Sequence, residues 1–184
     1  MKKLFRKNMI LRVLIWMVTI AWMGGIYYLS DRPVEQSLQD SSKVMEVLNL
    51  APSVEEASDT NNAQMLNIQM YIRKQAHVIL YMGLAGLMFL SLYGYFGKSE
   101  KTAIIAFVLT TLYAASDEIH QIFSNRGAQV RDVIIDARGA VWGICFALTA
   151  FIIIENIPKL REWVDKFYKL EPQEKRINKN SIQI

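Results

Sequence analysis

Ala76 to Phe96 reads AHVILYMGLAGLMFLSLYGYF, 21 positions without an Asp, Glu, Lys or Arg. A helix rises about 1.5 Å per residue and the hydrocarbon layer of a bilayer is about 30 Å thick, so this run alone crosses a membrane. Three more uncharged runs accompany it: Val13–Leu29 (17 residues), Thr102–Ser116 (15 residues) and Gly139–Ile154 (16 residues). The first reaches full length once Met9–Leu11 and a snorkelling Arg12 are included. The last two extend only roughly 22 to 24 Å by the same rise per residue. To span, they must draw in Asp117, Glu118 and His120 on one side and Asp132, Asp136 and Arg138 on the other.

The sequence therefore predicts an all-α, polytopic membrane protein, a bundle of four transmembrane helices with a polar pocket on its outer side. The helices are expected at about 9–29, 74–96, 101–120 and 132–155. They form a membrane domain, 13–155, behind a basic tail, 1–12. A loop at 30–73 separates the first two helices, and an amphipathic, basic tail follows at 156–184. Apolar types make up 52% of the 184 residues and charged types 21%. The mean hydropathy of +0.16 hides a sharp segregation of the two, which excludes a single soluble core.

The lone Cys145 excludes an internal disulfide framework and a cysteine-rich metal site, and its place in the last apolar run predicts a packed thiol. The net charge of +4 sits mostly at the chain ends beside apolar runs, a pattern of membrane orientation rather than of nucleic-acid binding. Lys2, Lys3, Arg6, Lys7 and Arg12 precede the first run with no acid among them. Lys159, Arg161, Lys166, Lys169, Lys175, Arg176 and Lys179 follow the last, and Lys98 and Lys101 lie in the short second loop. The first loop has only Arg32 and Lys43 against seven acids. Both termini are thus expected to be cytoplasmic, in a multi-pass protein of the cell membrane. Ile26–Ser30 lacks the small-residue pattern of a cleavage site, so the first helix is expected to be retained. Gln36–Leu50 has the apolar spacing of a short surface helix, and the rest of that loop to Met70 is expected to be irregular. Pro158–Tyr168 mixes aromatic and apolar residues with Lys and Arg as an interfacial helix does.

Three stretches hold most of the chemistry. Lys74, His77 and Tyr81 are spaced three and four apart and share one helix face. Asp117, His120 and Gln121 share another, with Glu118 roughly a quarter turn away. Asp132 and Asp136 continue into Gly139, Ala140 and Gly143 as one stripe, whose small residues invite close approach of another helix. Asn125-Arg126-Gly127 reads as the turn before it. Ionisable groups at the hydrocarbon boundary are expensive and by default mark a site. Under the expected topology all three stretches lie on the outer side, together with basic residues that topology alone does not call for: Arg73, Lys74, Arg126, Arg131 and Arg138. Lys and Arg suit phosphate or carboxylate, and the two histidines titrate nearest neutral pH. The plain alternative is a scaffold whose buried charges merely pair with one another.

The series Arg73-Lys74-x-x-His77-x-x-x-Tyr81, Tyr113-Ala114-x-x-Asp117-Glu118-x-His120-Gln121 and Arg126-x-x-x-x-Arg131-Asp132-x-x-x-Asp136 resembles the VanZ-like membrane protein family. The resemblance runs from about Leu14 to Phe151, so that 13–155 becomes a VanZ-like domain. It implies a four-helix protein of the bacterial envelope, linked in its best-known members to low-level teicoplanin resistance. The long acidic first loop and the polar carboxyl tail depart from that pattern.

Two readings of function follow. In the first, the protein binds or reorganises an anionic lipid or a lipid-linked cell-wall precursor at the outer leaflet. Lys74, His77, Tyr81, Gln121, Arg126, Arg131, Asp132 and Asp136 are the ligand-binding candidates. In the second, it is an intramembrane enzyme acting on a phosphate-containing lipid. His120 is then acid, base or nucleophile, Asp117 or Glu118 is its orienting carboxylate, and Lys74, Arg126 and Arg131 clamp the phosphate. A divalent metal among Glu118, His120, His77, Asp132 and Asp136 is a weaker third arrangement, because no stretch carries two histidines at ligand spacing. No metal and no cofactor is assigned.

Overall fold

A computed structural model describes residues 2–47, 59–97, 100–123 and 129–168. They form six helices and, among the described residues, no strand: α1 (Lys2–Ser30), α2 (Val34–Val47), α3 (Asp59–Phe96), α4 (Glu100–Phe123), α5 (Val130–Asn156) and α6 (Pro158–Tyr168). Four segments are long and apolar enough to cross a membrane: Arg12–Ser30, Met65–Phe96, Glu100–Phe123 and Val130–Asn156. The chain is an all-α, multi-pass membrane bundle. Its outward faces carry Ile20, Leu112 and Phe146, each more than half exposed. Contiguous apolar surface of that kind belongs against lipid rather than water.

α3 is the central member and lies against α1, α2, α4 and α5. Its inward face supplies Tyr81, Leu84, Ala85, Met88, Phe89, Leu92 and Tyr93, all buried. Near one end of the bundle Phe89, Tyr93 and Phe151 stack, with Tyr93 and Phe151 ring centroids 4.2 Å apart. α5 approaches α3 through its small stripe. A Cβ at Gly139 would strike the Val78 carbonyl, and one at Gly143 the Met82 carbonyl. The two glycines therefore set the separation of the two helices, as the spacing of small residues predicts. Trp22 of α1 lies over Gly83, and its indole N–H donates to the Leu80 carbonyl at 3.0 Å.

The turns are built from local chemistry. Pro33 immediately precedes α2, and its carbonyl accepts the Ser37 N–H at 3.1 Å as the first bond of that helix. Tyr28 and then Asp40 raise the pKa of Arg32, keeping the guanidinium charged across that turn. Gly97 ends α3 with φ +67°, a conformation that costs L side chains but not glycine. The Thr102 hydroxyl, from the first turn of α4, donates to the Gly97 carbonyl at 2.7 Å. Ile157 is extended, as a residue before proline prefers, and Pro158 begins α6.

Three sequence expectations change. The stretch from Asp59 to Met70, expected to be irregular, is helical and continuous with the membrane-spanning part of α3. Nothing between Asp59 and Phe96 breaks it, since no proline interrupts the run. The basic residues from Lys2 to Arg12 lie on α1 rather than in a trailing tail. Cys145 is exposed on the outward face of α5 rather than packed.

Candidate functional site

The polar residues that the short third and fourth apolar runs had to draw in gather where α1 ends, α3 is in mid-course, α4 ends and α5 begins. Asp117 is buried. It is 4% exposed, and its Oδ2 accepts the Ser30 hydroxyl of α1 at 2.6 Å and the Gln121 amide at 3.3 Å. The hydroxyl of the fully buried Tyr81 faces the Asp117 carboxylate, and neither that hydroxyl nor Asp117 Oδ1 completes a well-formed hydrogen bond among the described residues. Buried polar atoms without partners are rare, and each is a place where a further group can be accommodated.

Glu118 turns toward α5. The backbone N–H of Gln129, just ahead of that helix, donates to Glu118 Oε1 at 2.6 Å. A carboxylate at a helix amino terminus satisfies one orphan donor and faces the positive end of the dipole. Glu118 is thereby a cap between two helices, and this is a structural reason for an acid at that position.

Asp136, two turns further into α5, is 4% exposed and faces His77, with 3.8 Å between Oδ2 and Nδ1. At that separation the two side chains are adjacent without a well-formed hydrogen bond. His77 in turn stacks on Tyr81, ring centroids 6.3 Å apart. At the rim, Lys74 Nζ donates to Asp132 Oδ1 at 2.7 Å, both side chains 30% exposed. Lys74 is thus engaged by an acid of the same cluster. Arg131, adjacent to Asp132, is exposed, as is Arg138. Arg126 lies outside the described residues.

His120 does not join Asp117 or Glu118. Its ring lies 4.5 Å from that of Tyr27, and its Nε2 is 3.1 Å from Asp31 Oδ1. The orienting carboxylate expected from α4 itself is replaced by one from the turn after α1. The reason is geometric: Asp117 and Glu118 face the bundle interior, whereas His120 faces α1 at the surface. The arrangement weighed for a divalent metal is likewise split, with His77 on Asp136 and His120 on Asp31. Among the described residues no three His, Cys, Asp or Glu side chains converge as a metal would require.

The matched order of these residues extends beyond resemblance. The VanZ/LLP1 family model matches residues 15–153. The chain belongs to the VanZ/LLP1 family. No curated protein and no solved structure matches it. The VanZ/LLP1 match takes in the whole polar layer, from Ser30 through Asp136, and leaves out the basic start of α1 and all of α6.

Within the VanZ/LLP1 region, sequence reasoning brought Lys74, His77, Tyr81, Asp117, Glu118, Gln121, Asp132 and Asp136 to one layer. It missed Tyr27, Ser30 and Asp31. These three occupy the end of an otherwise apolar helix and the turn after it, where a polar residue reads as punctuation. The available signal was the one-turn spacing of Tyr27 and Asp31, which places both toward the same neighbour.

Proposed function

We propose that this VanZ/LLP1 protein resides in the bacterial cell membrane with both termini cytoplasmic. There it binds or reorganises an anionic lipid or lipid-linked wall precursor at the outer leaflet, and so lowers susceptibility to teicoplanin. Orientation rests on the concentration of Lys and Arg at the start of α1, after α5 and between α3 and α4. The observation that carries the ligand class is the Lys74–Asp132 pair. It is an ion pair at the rim of a membrane-embedded polar layer, with an exposed arginine in the neighbouring position. A phosphate that takes Lys74 from Asp132 exchanges one charge-assisted contact for another, and Arg131 adds a bidentate one. The buried groups beneath supply rigidity rather than charge, since Asp117, Glu118 and Asp136 are held by Ser30, Gln129 and His77.

The test is susceptibility to teicoplanin and vancomycin in a sensitive Gram-positive host. Empty vector, wild type, Lys74→Gln, Arg131→Gln and His120→Ala are compared at matched membrane expression, alongside binding of the purified proteins to anionic vesicles. Protection and binding that fall in the Lys74 and Arg131 variants support the reading. Wild-type binding in every variant dismisses the site, and no protection from wild type dismisses the resistance role.

One observation favours a second reading, an intramembrane enzyme acting on a phosphate-containing lipid. His120 is positioned by Asp31 at 3.1 Å, the relation by which a carboxylate orients an imidazole for proton transfer. Phosphate released by purified protein from a phospholipid or polyprenyl pyrophosphate, and lost in His120→Ala, would establish it.

A further inference from the structure

Away from the polar layer, α1 and α5 both lie against α3 and leave an apolar groove between them of about 740 Å³. Specific ligand sites occupy about 300 to 1,000 Å³. Its floor is the small-residue side of α3 at Gly83 and Gly86, and its walls include Trp22 of α1 and Ala150 of α5. It extends from Ile79 to Leu90 on α3 and from Gly143 to Ile154 on α5. Each stretch is 11 rises long, about 16 Å. Half of the hydrocarbon layer is about 15 Å, so the groove has the depth of one leaflet. Trp163 and Val164 of α6 border it, and both lie beyond the region matched to the family.

The surroundings of that α6 end are basic. Ile15 of the groove follows Arg12 by one turn of α1, and Arg12 itself lies over the Tyr95 ring at the end of α3, 5.3 Å from its centroid. The start of α1 from Lys2 to Arg12 holds five basic residues and no acid. Lys159 and Arg161 precede Trp163 on α6, and together with the five bases of α1 they outnumber the acids Glu155 and Glu162 of this end. An apolar channel one leaflet deep with a cationic mouth matches one acyl chain of a lipid whose headgroup is anionic. We infer that this groove is a saturable site for an anionic phospholipid of the leaflet on the α6 side, with a chain between α1 and α5 and its phosphate beside Arg12 and α6. The site lies opposite the polar layer and does not depend on the function proposed for that layer.

Trp22 and Trp163 border the groove, so with Trp16→Phe and Trp142→Phe as the common background brominated acyl chains report on its occupancy by quenching. Full-length protein is reconstituted in phosphatidylcholine bilayers and titrated with dibrominated phosphatidylglycerol or dibrominated phosphatidylcholine. Three variants accompany wild type: Ala150→Phe fills the groove, Ile153→Phe places the same phenyl ring outside its lining, and Arg12→Gln/Arg161→Gln neutralises the mouth. Half-maximal quenching by the anionic lipid is expected at a mole fraction about fivefold below that of the zwitterionic lipid, the scale of one basic side chain at an anionic surface. Ile153→Phe should retain the preference, the double Gln variant should lose it, and Ala150→Phe should follow bulk lipid composition. Quenching of wild type that follows bulk composition for both lipids overturns the inference. So does a concentration-dependent self-association that shields the tryptophans from either lipid, because a second copy then fills the groove. The quenching titration reads the groove and the susceptibility test reads the polar layer, so the two sites succeed or fail separately.

Discussion

The Ser30 hydroxyl, at the last position of α1, donates to Oδ2 of Asp117, near the end of α4, at 2.6 Å across 87 residues of sequence. Both groups are almost fully buried, and the same carboxylate oxygen also holds Gln121. Asp117 thereby fixes the otherwise lightly attached first helix to the bundle. Asp117→Ala should strand both donors and lower stability by about 1–3 kcal/mol, whereas Asp117→Asn, which keeps an acceptor, should lose less. Thermal unfolding in a mild detergent reads the difference.

Tyr81 gives the opposite expectation. Its hydroxyl is buried facing the Asp117 carboxylate without a well-formed hydrogen bond, so Tyr81→Phe removes a desolvated polar group and should change stability little. If the hydroxyl donates to a bound headgroup, the same variant lowers vesicle binding at unimpaired stability. The two measurements together separate a ligand contact from a packing role.

Lys74 and Asp132 are about a third exposed, so their pairing is worth only about 0.2–1 kcal/mol. A double-mutant cycle of Lys74→Gln and Asp132→Asn should return a coupling of that size in stability. Ligand binding should not follow it. The double variant should bind anionic vesicles as weakly as Lys74→Gln alone, because the amino group rather than the pair meets the phosphate. Recovery of binding in the double variant would reduce the pair to a structural link.

Gly143→Val places side-chain atoms where the Met82 carbonyl lies. Overpacking of this kind costs about 1–3 kcal/mol. Reduced yield and a lowered unfolding temperature should result, while Gly24→Ala, whose added Cβ meets nothing, should be silent or mildly favourable.

Asp31→Asn should reproduce the effect of His120→Ala on any phosphate release if the two side chains act as one unit. The loss expected of a positioned acid–base pair is about 10²–10⁴-fold in rate. Unequal losses would mean that His120 acts without Asp31.

Much of this was legible in the residues because a bilayer imposes a length. Runs of 15 and 16 uncharged residues are too short to span, so their polar neighbours had to be helical and partly buried. Asp117, Glu118 and Asp136 are both. The stripe of Gly139 and Gly143 likewise announced a close helix contact. Partners were less legible. Glu118 meets a backbone amide, which every residue but proline carries, and so no side chain advertises it. His120 meets Asp31 because α1 ends beside α4, a matter of tertiary packing that neighbouring sequence does not encode. The helix from Asp59 to Met70 escaped notice because hydropathy registers burial, and a polar helix outside the membrane has none to register.

The unbroken course of α3 has a mechanical consequence. Its 38 residues measure about 57 Å, nearly twice the thickness of the hydrocarbon layer. Roughly half of the rod therefore stands clear of the hydrocarbon, joined to α2 through Gln69 and Ser42. Lys74 and His77 meet Asp132 and Asp136 on α5, so the protruding arm and the acids of the polar layer are joined by one unbroken rod.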